Sequence, residues 1–461
     1  MNIYIEVENF YKEFPGKFLL ALNIVSKNCN IYIAHRSDIQ LAALKGLISP
    51  GVIHLKDVNS LDENYNIIKK LHSKGFIFTA QDEEPGITID DYDKFSTRRM
   101  IDGKTFEFIE FYFSWGKRDL NILKKKYAKY KTQFILAGSL KIKFLDNYKI
   151  NEKQIIEFKS KLGIKKKIIL IPTSIASPIA IRRFADWLHS FKEGKNLNDK
   201  LKSEKRFFNT FKQATQNLEK FIELIRFLES NMEDFEIILK SHPDEKIDDW
   251  KKLIDIKSEK IHYVDNISVQ ELIMFSDVII QNGSSVVLDA FFSKKPIITY
   301  EPLVFKEDTN KTFPNSFGKK FSSKEDLKKY LKNGNFEILA DEKNMLILRE
   351  RLHILENTDY PLSCFIKAWK KIREEKFSNS KNYFQINHLN IFIRELKRRI
   401  KKYINFFIKL ADDNNITNHK FPNINMNYVK ELHKNLSLYN SKLEEIKISK
   451  LDDRILEIKI N

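Results

Sequence analysis

The chain has 461 residues, with 80 Lys+Arg against 62 Asp+Glu, so its formal net charge is +18. This length predicts two or three domains, and an apolar share of 42% excludes a wholly disordered chain. Cys29 and Cys364 are too few for a disulfide framework or a cysteine metal site. Because a composition rich in lysine, asparagine and isoleucine is typical of an AT-biased genome, the charge is weak evidence for nucleic-acid binding, and no nucleic-acid partner is predicted.

The sequence predicts a cytoplasmic protein without a membrane span. Its first seven residues indicate a strand rather than a basic and then apolar secretory signal. Nowhere do about 18 uncharged apolar residues run together, so no transmembrane helix is expected. The apolar runs, such as 168–171 and 278–280, are short and β-branched, which is typical of buried parallel strands.

Short apolar runs alternate with helical patterns in two series. The predicted strands of the first series cover residues 3–7, 31–34, 51–54, 76–79 and 133–137, with helices at 18–25 and 61–71 among them. The second series has strands at 167–171, 235–239, 261–264, 277–280 and 296–299, with helices near 215–228, 269–275 and 285–292. Strand, helix and strand at this spacing predict βαβ crossovers and parallel sheets.

The predicted fold class is therefore α/β, with two doubly wound, Rossmann-like domains that face a cleft. The first domain covers residues 1–150 and the second covers 151–340. A helical return segment follows at 341–376, and a basic amphipathic helical extension is predicted for 377–461.

Two segments depart from the alternating pattern. Residues 178–212 carry Arg182, Arg183, Trp187 and several lysines, which indicate a helical insertion near the cleft or a solvated surface excursion. In the extension, seven basic residues accompany one acid across 391–410, and apolar residues recur at spacings of three and four. A helix over 389–410 fits an anionic membrane surface, on the inner face of the cytoplasmic membrane, or packing against the protein itself or a sister subunit.

The first candidate loop is the acidic segment 81–86, which follows a predicted strand. In doubly wound sheets, ligands bind outside the carboxyl ends of the strands. Asp82, Glu83 and Glu84 are consecutive, and their repulsion should raise the pKa of at least one of them toward the range of a general base. Gly86 lets the backbone turn sharply. The alternative is an acidic, solvated turn.

The second candidate loop, 240–245, follows the predicted strand 235–239. Pro243 stiffens this loop and biases His242 toward extended geometry. A histidine held there beside Lys240 is well placed to contact a phosphate or to protonate a leaving oxyanion. A lone His-Pro pair is common, so the prediction rests on its position after a strand.

The third candidate loop, 281–285, follows the predicted strand 277–280 and opens a helix. Gly283 permits close backbone approach, while Ser284 and Ser285 supply hydroxyl groups. Free N–H groups at the helix start would add an anion site worth about 0.3–2 kcal/mol. Asp289 lies one turn after Ser285, where it could accept from ribose hydroxyls. The alternative is that either serine is merely an N-cap.

The chain has no P-loop, GxGxxG fingerprint, HExxH motif or paired-cysteine spacing. No cluster of metal ligands is visible in the sequence either. We therefore expect no cofactor and no bound metal.

Taken together, these loops resemble those of a known family. Segment 276–300 resembles the nucleotide-binding block of GT-B glycosyltransferases of the surface-carbohydrate biosynthesis type. The His242-Pro243 pair resembles the motif shared by bacterial sialyltransferases, Kdo transferases and teichoic-acid polymerases. The acidic loop is similar to the Asp-Glu-Glu-Gly of surface-carbohydrate proteins, and segments 6–13, 19–22, 313–318 and 322–327 also fit. The resemblance spans about residues 1–375, and its motifs are specific in their order and spacing.

The resemblance implies a GT-B transferase that moves a CMP-activated acidic sugar, of nonulosonic acid or Kdo type, onto a surface glycan or glycolipid acceptor without a metal. It implies that a carboxylate deprotonates the acceptor, with Glu83 first and Asp82 and Glu84 as competitors. His242 would contact the CMP phosphate and assist its departure, and Ser284 and Ser285 would hold it.

The chain departs from the family pattern at several positions. Pro85 interrupts the step from acid to glycine, and Lys240 stands where arginine is common, so its phosphate contact would be point-like. Asp289 replaces a more usual glutamate, and residues 137–139 lack the Gly-Asn-Pro hinge. The chain could therefore belong to a branch of this family that uses a different donor.

Two rival functions are also open. A CDP-polyol phosphotransferase of teichoic-acid type shares the His-Pro and Ser-Ser elements. The triple-carboxylate loop argues against it, because phosphoryl-type transfer gains little from extra negative charge. The other rival is a non-catalytic scaffold in glycan assembly that docks through its basic tail. The oligomeric state and the linkage formed are left open.

Overall fold

The structure is a computed structural model of the whole chain. It describes all residues except 27, 59–61, 84–102, 174–196, 256, 304–312, 337–341, 353–359, 379–419, 439 and 461. The chain forms two compact units. Unit 1 contains Met1–Lys149 and Met345–Asn461, and unit 2 contains Ile150–Asn344.

Unit 1 is built on an eight-stranded sheet. In chain order its strands are β1 (Asn2–Val7), β2 (Asn30–His35), β3 (Val52–Leu55), β4 (Ile77–Ala80), β5 (Ile109–Ser114), β6 (Gln133–Leu136), β13 (Ile446–Asp452) and β14 (Ile455–Ile460). The spatial order is β13-β14-β2-β1-β3-β4-β5-β6. The first six strands pair in parallel, and β14 pairs antiparallel to β2 and to β13.

The described helices of unit 1 connect and cover these strands. They are α1 (Phe10–Ile24), α2 (Arg36–Leu44), α3 (Asp62–Ser73), α4 (Lys117–Lys126), α5 (Leu140–Asn147), α13 (Leu362–Lys376) and α14 (Met426–Ser437), while α12 (Glu342–Arg351) spans the boundary with unit 2. The core is largely aromatic and aliphatic, with Phe78, Leu55 and Phe106 fully buried. Burial of such surface contributes about 25 cal/mol per Å² and supplies the main driving force for folding.

Helix α1 packs against the unit 1 sheet and is capped at its amino end. The Asn9 side chain accepts a hydrogen bond from Lys12 N, which caps the helix. Gly16 lies against α5, where a Cβ atom would stand 3.0 Å from the Leu140 carbonyl. The helix begins eight residues before the predicted start at residue 18, because Asn9 caps it and Pro15 is accommodated inside it.

The end of the chain is not the predicted helical extension. Residues 446–460 form the β13–β14 hairpin that extends the unit 1 sheet, and α14 precedes it. Leu456 and Ile458 are fully buried, and Tyr32 donates a hydrogen bond to Glu457 at 3.3 Å. The predicted amphipathic helix at 389–410 lies outside the described residues.

Unit 2 is built on a six-stranded parallel sheet. Its strands are β7 (Lys167–Pro172), β8 (Phe235–Lys240), β9 (Ile261–Tyr263), β10 (Val278–Gln281), β11 (Ile297–Tyr300) and β12 (Lys319–Phe321), in the spatial order β12-β11-β10-β7-β8-β9. Its helices are α6 (Glu152–Leu162), α7 (Leu197–Asn231), α8 (Ile247–Ile254), α9 (Val269–Phe275), α10 (Val286–Phe292) and α11 (Lys324–Asn333). Trp250, Phe221 and Leu239 are fully buried in its core.

The α/β class with two doubly wound units, as in a GT-B protein, is confirmed. Strands β5 and β12 were not among the predicted elements. Of the 178–212 insertion, residues 197–212 belong to α7, and 178–196 lie outside the described residues. The predicted cleft between the domains stays a prediction. Within the described residues, no helix combines the length and apolar character needed to cross a bilayer.

Candidate active site

The acidic loop of unit 1 follows β4, at the carboxyl edge of the sheet. Asp82 is buried, and the Glu83 backbone N–H donates to the Lys56 carbonyl at 3.1 Å. Glu84 lies outside the described residues. The loop is thus tied to the end of the neighbouring strand β3.

A buried lysine on α1 holds Glu83. Lys17 is fully buried, and its ammonium group lies 3.0 Å from Glu83 Oε1. It also donates to the Glu6 carbonyl at 2.7 Å and to Glu13 Oε2 at 3.4 Å. These contacts use the three donors of an ammonium group, which offsets the cost of burying its charge.

The pKa of the Glu83 carboxyl is raised, which is the predicted direction, but mainly by burial rather than by crowding of the three loop acids. After burial, the largest influences are Lys17, which opposes the rise, and Glu13, which adds to it. The acidic loop is therefore not an uncompensated cluster, because a cation from a distant helix neutralises part of it. Sequence reasoning missed Lys17 because only the tertiary fold brings α1 to this loop.

Further charges line the ends of β1, β2 and β3. The ammonium of Lys56 contacts the Glu8 carboxylate, and Arg36 Nη1 lies 3.3 Å from Asp57 Oδ1. Burial raises the pKa of the Glu6 carboxyl to about 6, against the charge of Arg36. These pairs indicate a charge network that positions the strand ends of unit 1.

Replacing Lys17 by methionine should destabilise the protein by about 3–5 kcal/mol, because the Glu83 carboxylate would be left buried without its cation. Chemical denaturation would measure this loss. The matched control is Lys69→Met on the exposed face of α3, which should change stability by less than about 0.5 kcal/mol. If Lys17→Met also lost less than about 0.5 kcal/mol, the ion pair would not be a buried structural contact.

The Glu8 carboxyl should make stability depend on acid pH. Burial alone would raise its pKa, but the charge and hydrogen bond of Lys56 prevail and lower it from 4.5 to about 2. A carboxyl with a lowered folded-state pKa stabilises fully above its unfolded pKa and loses this contribution as pH falls through the folded pKa. The stability gap between the native chain and Glu8→Gln should therefore close between pH 4.5 and pH 2 in acid titrations of unfolding. A gap that stays constant over this range would contradict the assignment.

In unit 2, three polar loops follow three adjacent strands. Strand β7 lies between β10 and β8, so Thr173, His242 and Ser284 each stand just beyond the carboxyl end of one of them. This edge is where ligands bind in doubly wound sheets. The structure thus brings the second and third predicted loops to one edge of one sheet.

The His-Pro loop presents the His242 side chain at the surface. The imidazole is 42% exposed, and its Nδ1 accepts a hydrogen bond from Asp244 N at 3.2 Å. With Nδ1 accepting, a neutral ring carries its proton on Nε2, which is then a hydrogen-bond donor. Pro243, partly exposed, follows the histidine in the loop.

Lys240 extends toward a different loop. Its ammonium group donates to the Asp265 carbonyl at 2.6 Å, after β9. Burial lowers the pKa of Lys240 to about 8. Its predicted role in phosphate binding stays a prediction, and the observed contact indicates a role in holding the 264–266 turn.

The backbone donors of the 281–285 loop are already used by amide side chains. Gly283, with φ of 71°, donates its N–H to Asn315 Oδ1, and the Ser284 N–H donates to Gln281 Oε1 at 2.9 Å. The Val286 N–H lies 3.4 Å from Ser284 Oγ. The predicted cradle of free N–H groups is therefore not present at these positions, and an anion would meet hydroxyl groups instead.

The two serines and Asp289 differ in exposure. Ser284 is buried and its hydroxyl partly caps α10, whereas Ser285 is exposed and makes no side-chain cap. Asp289 is only 2% exposed, so the observed conformation does not offer it to a ribose. Ser285 is the member of this set best placed for a ligand.

Asn315 was not predicted to have a role, although its segment was part of the resemblance. This buried residue lies in the 3-10 helix Phe313–Ser316 and donates from Nδ2 to Asn282 Oδ1 at 3.0 Å and to Glu301 Oε1 at 2.9 Å. With its bond to Gly283, it joins the ends of β10 and β11. Contacts of this kind are visible only after folding.

Replacing Asn315 by alanine should cost about 1–3 kcal/mol, because a buried N–H and two side chains lose their partner. It should also weaken binding of the nucleotide that the sequence predicts at the 281–285 loop, because that loop would be loosened. Thermal unfolding and calorimetry would measure the two effects. The control Asn333→Ala, at the exposed end of α11, should alter neither, and equal behaviour of both variants would refute the role of Asn315.

No group of three or more His, Cys, Asp and Glu side chains that could hold a metal occurs within the described parts of the chain. The expectation that the reaction needs no metal stays a prediction.

Two α/β units with polar loops at the carboxyl ends of their parallel strands are the architecture that the sequence predicted. Residues 86–357 match the model of the CDP-glycerol:poly(glycerophosphate) glycerophosphotransferases. The match covers more than half of the chain, and the protein therefore belongs to this family. It includes the His-Pro and 281–285 loops, whereas acidic residues 82–84 lie before it. No curated protein matches the chain.

Similar solved structures include a variant of the wall teichoic acid polymerase TagF, which is 13% identical over 82% of this chain and 90% of its own, with a TM-score of 0.49. A Listeria monocytogenes protein assigned as a UDP-N-acetylglucosamine 2-epimerase is 12% identical over 81% of this chain and 96% of its own, with a TM-score of 0.44. The S. aureus MnaA–UDP structure is 12% identical over the same shares, with a TM-score of 0.43. Similarity this low does not identify a substrate.

The predicted donor, a CMP-activated acidic sugar, is wrong because the family is one of CDP-glycerol glycerophosphotransferases. A surface-polymer transferase is supported, but a relationship to sialyltransferases and Kdo transferases is not. The His-Pro and Ser-Ser elements occur in both groups, so they could not separate them. The acidic loop was predicted to argue against a phosphotransferase, but Lys17 offsets the charge of Glu83, so the loop does not exclude a phosphoryl donor.

Proposed function

We propose that this protein transfers a polyol phosphate, with glycerol phosphate the first candidate, from its CDP-activated form to a hydroxyl group of a surface-polymer acceptor. The observation that carries the proposal is the family match over residues 86–357. The geometry of unit 2 supports it, because the match includes a partly exposed histidine and an exposed serine at one edge of a parallel sheet.

The proposed reaction is a displacement at phosphorus. The acceptor oxygen attacks the β-phosphorus of the CDP-polyol, a new P–O bond forms, and the bond to the CMP phosphate breaks. CMP leaves with the electron pair of that bond, and the acceptor proton passes to a base. The negative charge that develops on the phosphates is the feature that the protein must stabilise.

His242 is proposed to donate from Nε2 to the phosphate that leaves with CMP. The bond from Asp244 N to Nδ1 supports this tautomer, and the exposure of the ring allows contact with a ligand. Ser285, with its exposed hydroxyl, is proposed as a second phosphate donor. Ser284 is assigned to shaping the loop, because its backbone N–H and its hydroxyl are both used within it.

The proposed acceptor base is a carboxylate of the acidic loop, with Glu83 first and Asp82 and Glu84 as alternatives. A raised pKa, caused mainly by burial, supports Glu83 as a proton acceptor. Its side chain is 11% exposed, so one edge can meet a ligand while Lys17 holds the other. This pairing also answers the objection that a phosphoryl donor would be repelled by the loop.

The proposal needs no bound metal, and it places the enzyme in the cytoplasm with an anionic membrane surface as a partner of residues 389–410. Vesicle co-sedimentation of the full chain, with lysines 401, 402 and 409 changed to glutamine as the comparison, would test that partner. Unchanged sedimentation with anionic vesicles would contradict it.

Calorimetry with CDP-glycerol, CMP, UDP and GDP tests the proposed donor. We expect binding of the two cytidine nucleotides, tighter binding of CDP-glycerol than of CMP, and neither UDP nor GDP binding comparably. Preference for UDP or GDP would contradict the proposal. Absence of any nucleotide binding would favour the scaffold function.

A further inference from the structure

Glu245, the last residue of the His-Pro loop, is a buried carboxylate with a specific set of donors. It is only 2% exposed. Its Oε2 accepts from the Thr173 hydroxyl, from Trp250 Nε1 at 2.9 Å and from the His242 backbone N–H at 3.3 Å. Burying a carboxylate is costly unless it is hydrogen-bonded, and here one oxygen receives all three of these bonds.

These bonds fix the backbone of His242 on both sides. The His242 N–H also donates to Thr173 Oγ1 at 2.8 Å, and its carbonyl accepts from Glu245 N at 2.8 Å. Thr173 is fixed in turn, because its N–H donates to the Lys240 carbonyl at 2.9 Å. The loop after β8 is thereby fastened to the end of β7.

On the core side, the network ends at a buried tryptophan. Trp250 lies on α8, is fully buried, and donates from its indole N–H to Glu245 Oε2. The carboxylate therefore joins two different structures. On one side lies the packed core, and on the other lies the backbone that carries a half-exposed imidazole.

We propose that Glu245, together with Thr173, is the positioning group for His242 and fixes the direction of its imidazole toward the donor phosphate. This inference rests on the proposed function for the identity of the ligand, but the contacts that carry it lie wholly within unit 2. Glu245 touches no reacting atom and acts through the histidine. Precise placement matters, because a displacement of about 1 Å at a reacting group can cost about 10²-fold in rate.

Alanine and glutamine at residue 245, with Trp250→Phe as a matched control, test the inference. Glu245→Ala should lower kcat for transfer from CDP-glycerol by about 10–100-fold, with a smaller change in KM. Glu245→Gln keeps an acceptor oxygen and should restore kcat to within about 3-fold of the native enzyme. Trp250→Phe removes only the core-side bond and keeps the bonds from Thr173 and the His242 N–H to the same oxygen, so it should lower thermal stability and leave kcat within about 3-fold.

A double-mutant cycle separates positioning from an independent role. If Glu245 acts through His242, then Glu245→Ala should have no further effect on kcat or CMP affinity in a His242→Ala background. If the double variant instead lost activity by the product of the two single losses, the inference would be overturned. A loss of kcat in Trp250→Phe as large as that in Glu245→Ala would also overturn it, since the role would then be stability alone.

Two further measurements keep the test decisive. Where Glu245→Ala does not fold, Thr173→Val removes the other anchor and should give the same loss of kcat.

NMR titration of the His242 ring reports the positioning of the ring in the absence of the substrate CDP-glycerol. Its resonances and titration midpoint should shift in Thr173→Val but not in Trp250→Phe, and the absence of a shift would overturn the inference. A native enzyme that transfers nothing from CDP-glycerol would refute only the proposed function, because the ring titration would still decide the positioning.

Discussion

Replacing His242 by alanine is expected to lower transfer from CDP-glycerol by about 10²–10⁴-fold, because the departing CMP phosphate would lose a donor poised at its oxygen. The expectation follows from a ring that is 42% exposed at the carboxyl end of β8 and whose Nδ1 is already bonded to Asp244 N. Steady-state release of CMP would measure the loss. CMP affinity should fall as well, since the same donor contacts the bound product.

The control for this variant is His262, a second histidine of unit 2. It lies within β9, and its Nε2 is 2.6 Å from Glu236 Oε2, near the amino end of β8. His262→Gln should therefore leave transfer within about 3-fold of the native rate. Full activity of His242→Ala, or an equal loss in both variants, would remove His242 from the mechanism.

Deleting residues 446–461 should abolish the stable fold of unit 1. The deletion removes β14, which pairs with β2, and with it the buried Ile455, Leu456 and Ile458. Loss of such side chains costs about 2–5 kcal/mol each, which approaches the about 5–15 kcal/mol that stabilises a typical domain. Exposure of β2 as a new edge strand would also promote aggregation.

Size-exclusion chromatography and thermal unfolding of the truncated chain would measure this effect. The control is Lys447→Gln, an exposed residue in β13 that should leave both measurements unchanged. A soluble truncated chain with the native melting temperature would show that the hairpin is dispensable.

The parallel strands of both sheets could be predicted closely where they are short, aliphatic and bounded by polar loops. The prediction failed at β5, Ile109–Ser114, because its aromatic run continues from the 3-10 helix Lys104–Phe108 without a change in composition. It failed at β12 because this strand has only three residues, none of them buried. The closing hairpin was missed although apolar and charged residues alternate along 456–460 with the period of a strand, because the whole charged segment after residue 377 was assigned to helices.

The loops of the candidate site could be predicted because strand ends are recognisable in sequence. Residues such as Lys17, Glu245 and Asn315 could not be assigned their contacts, since their partners are set by tertiary packing. The same limit affected the backbone N–H groups at Gly283 and Ser284, which amide side chains occupy. The donor was mispredicted because motifs shared by several groups of transferases were assigned to one of them. The CDP-polyol rival was discounted on the formal charge of a loop that a lysine on a distant helix partly neutralises.

The most direct test of the central claim follows the label of the donor phosphate. CDP-glycerol carrying ³²P at the β-phosphate and ¹⁴C in glycerol would be incubated with the enzyme and a glycerol-phosphate-primed acceptor. Polyol phosphate transfer predicts that both labels enter the acceptor in a 1:1 ratio as unlabelled CMP is released. Incorporation of ¹⁴C without ³²P, or of neither label while a CMP-activated sugar is transferred, would contradict it.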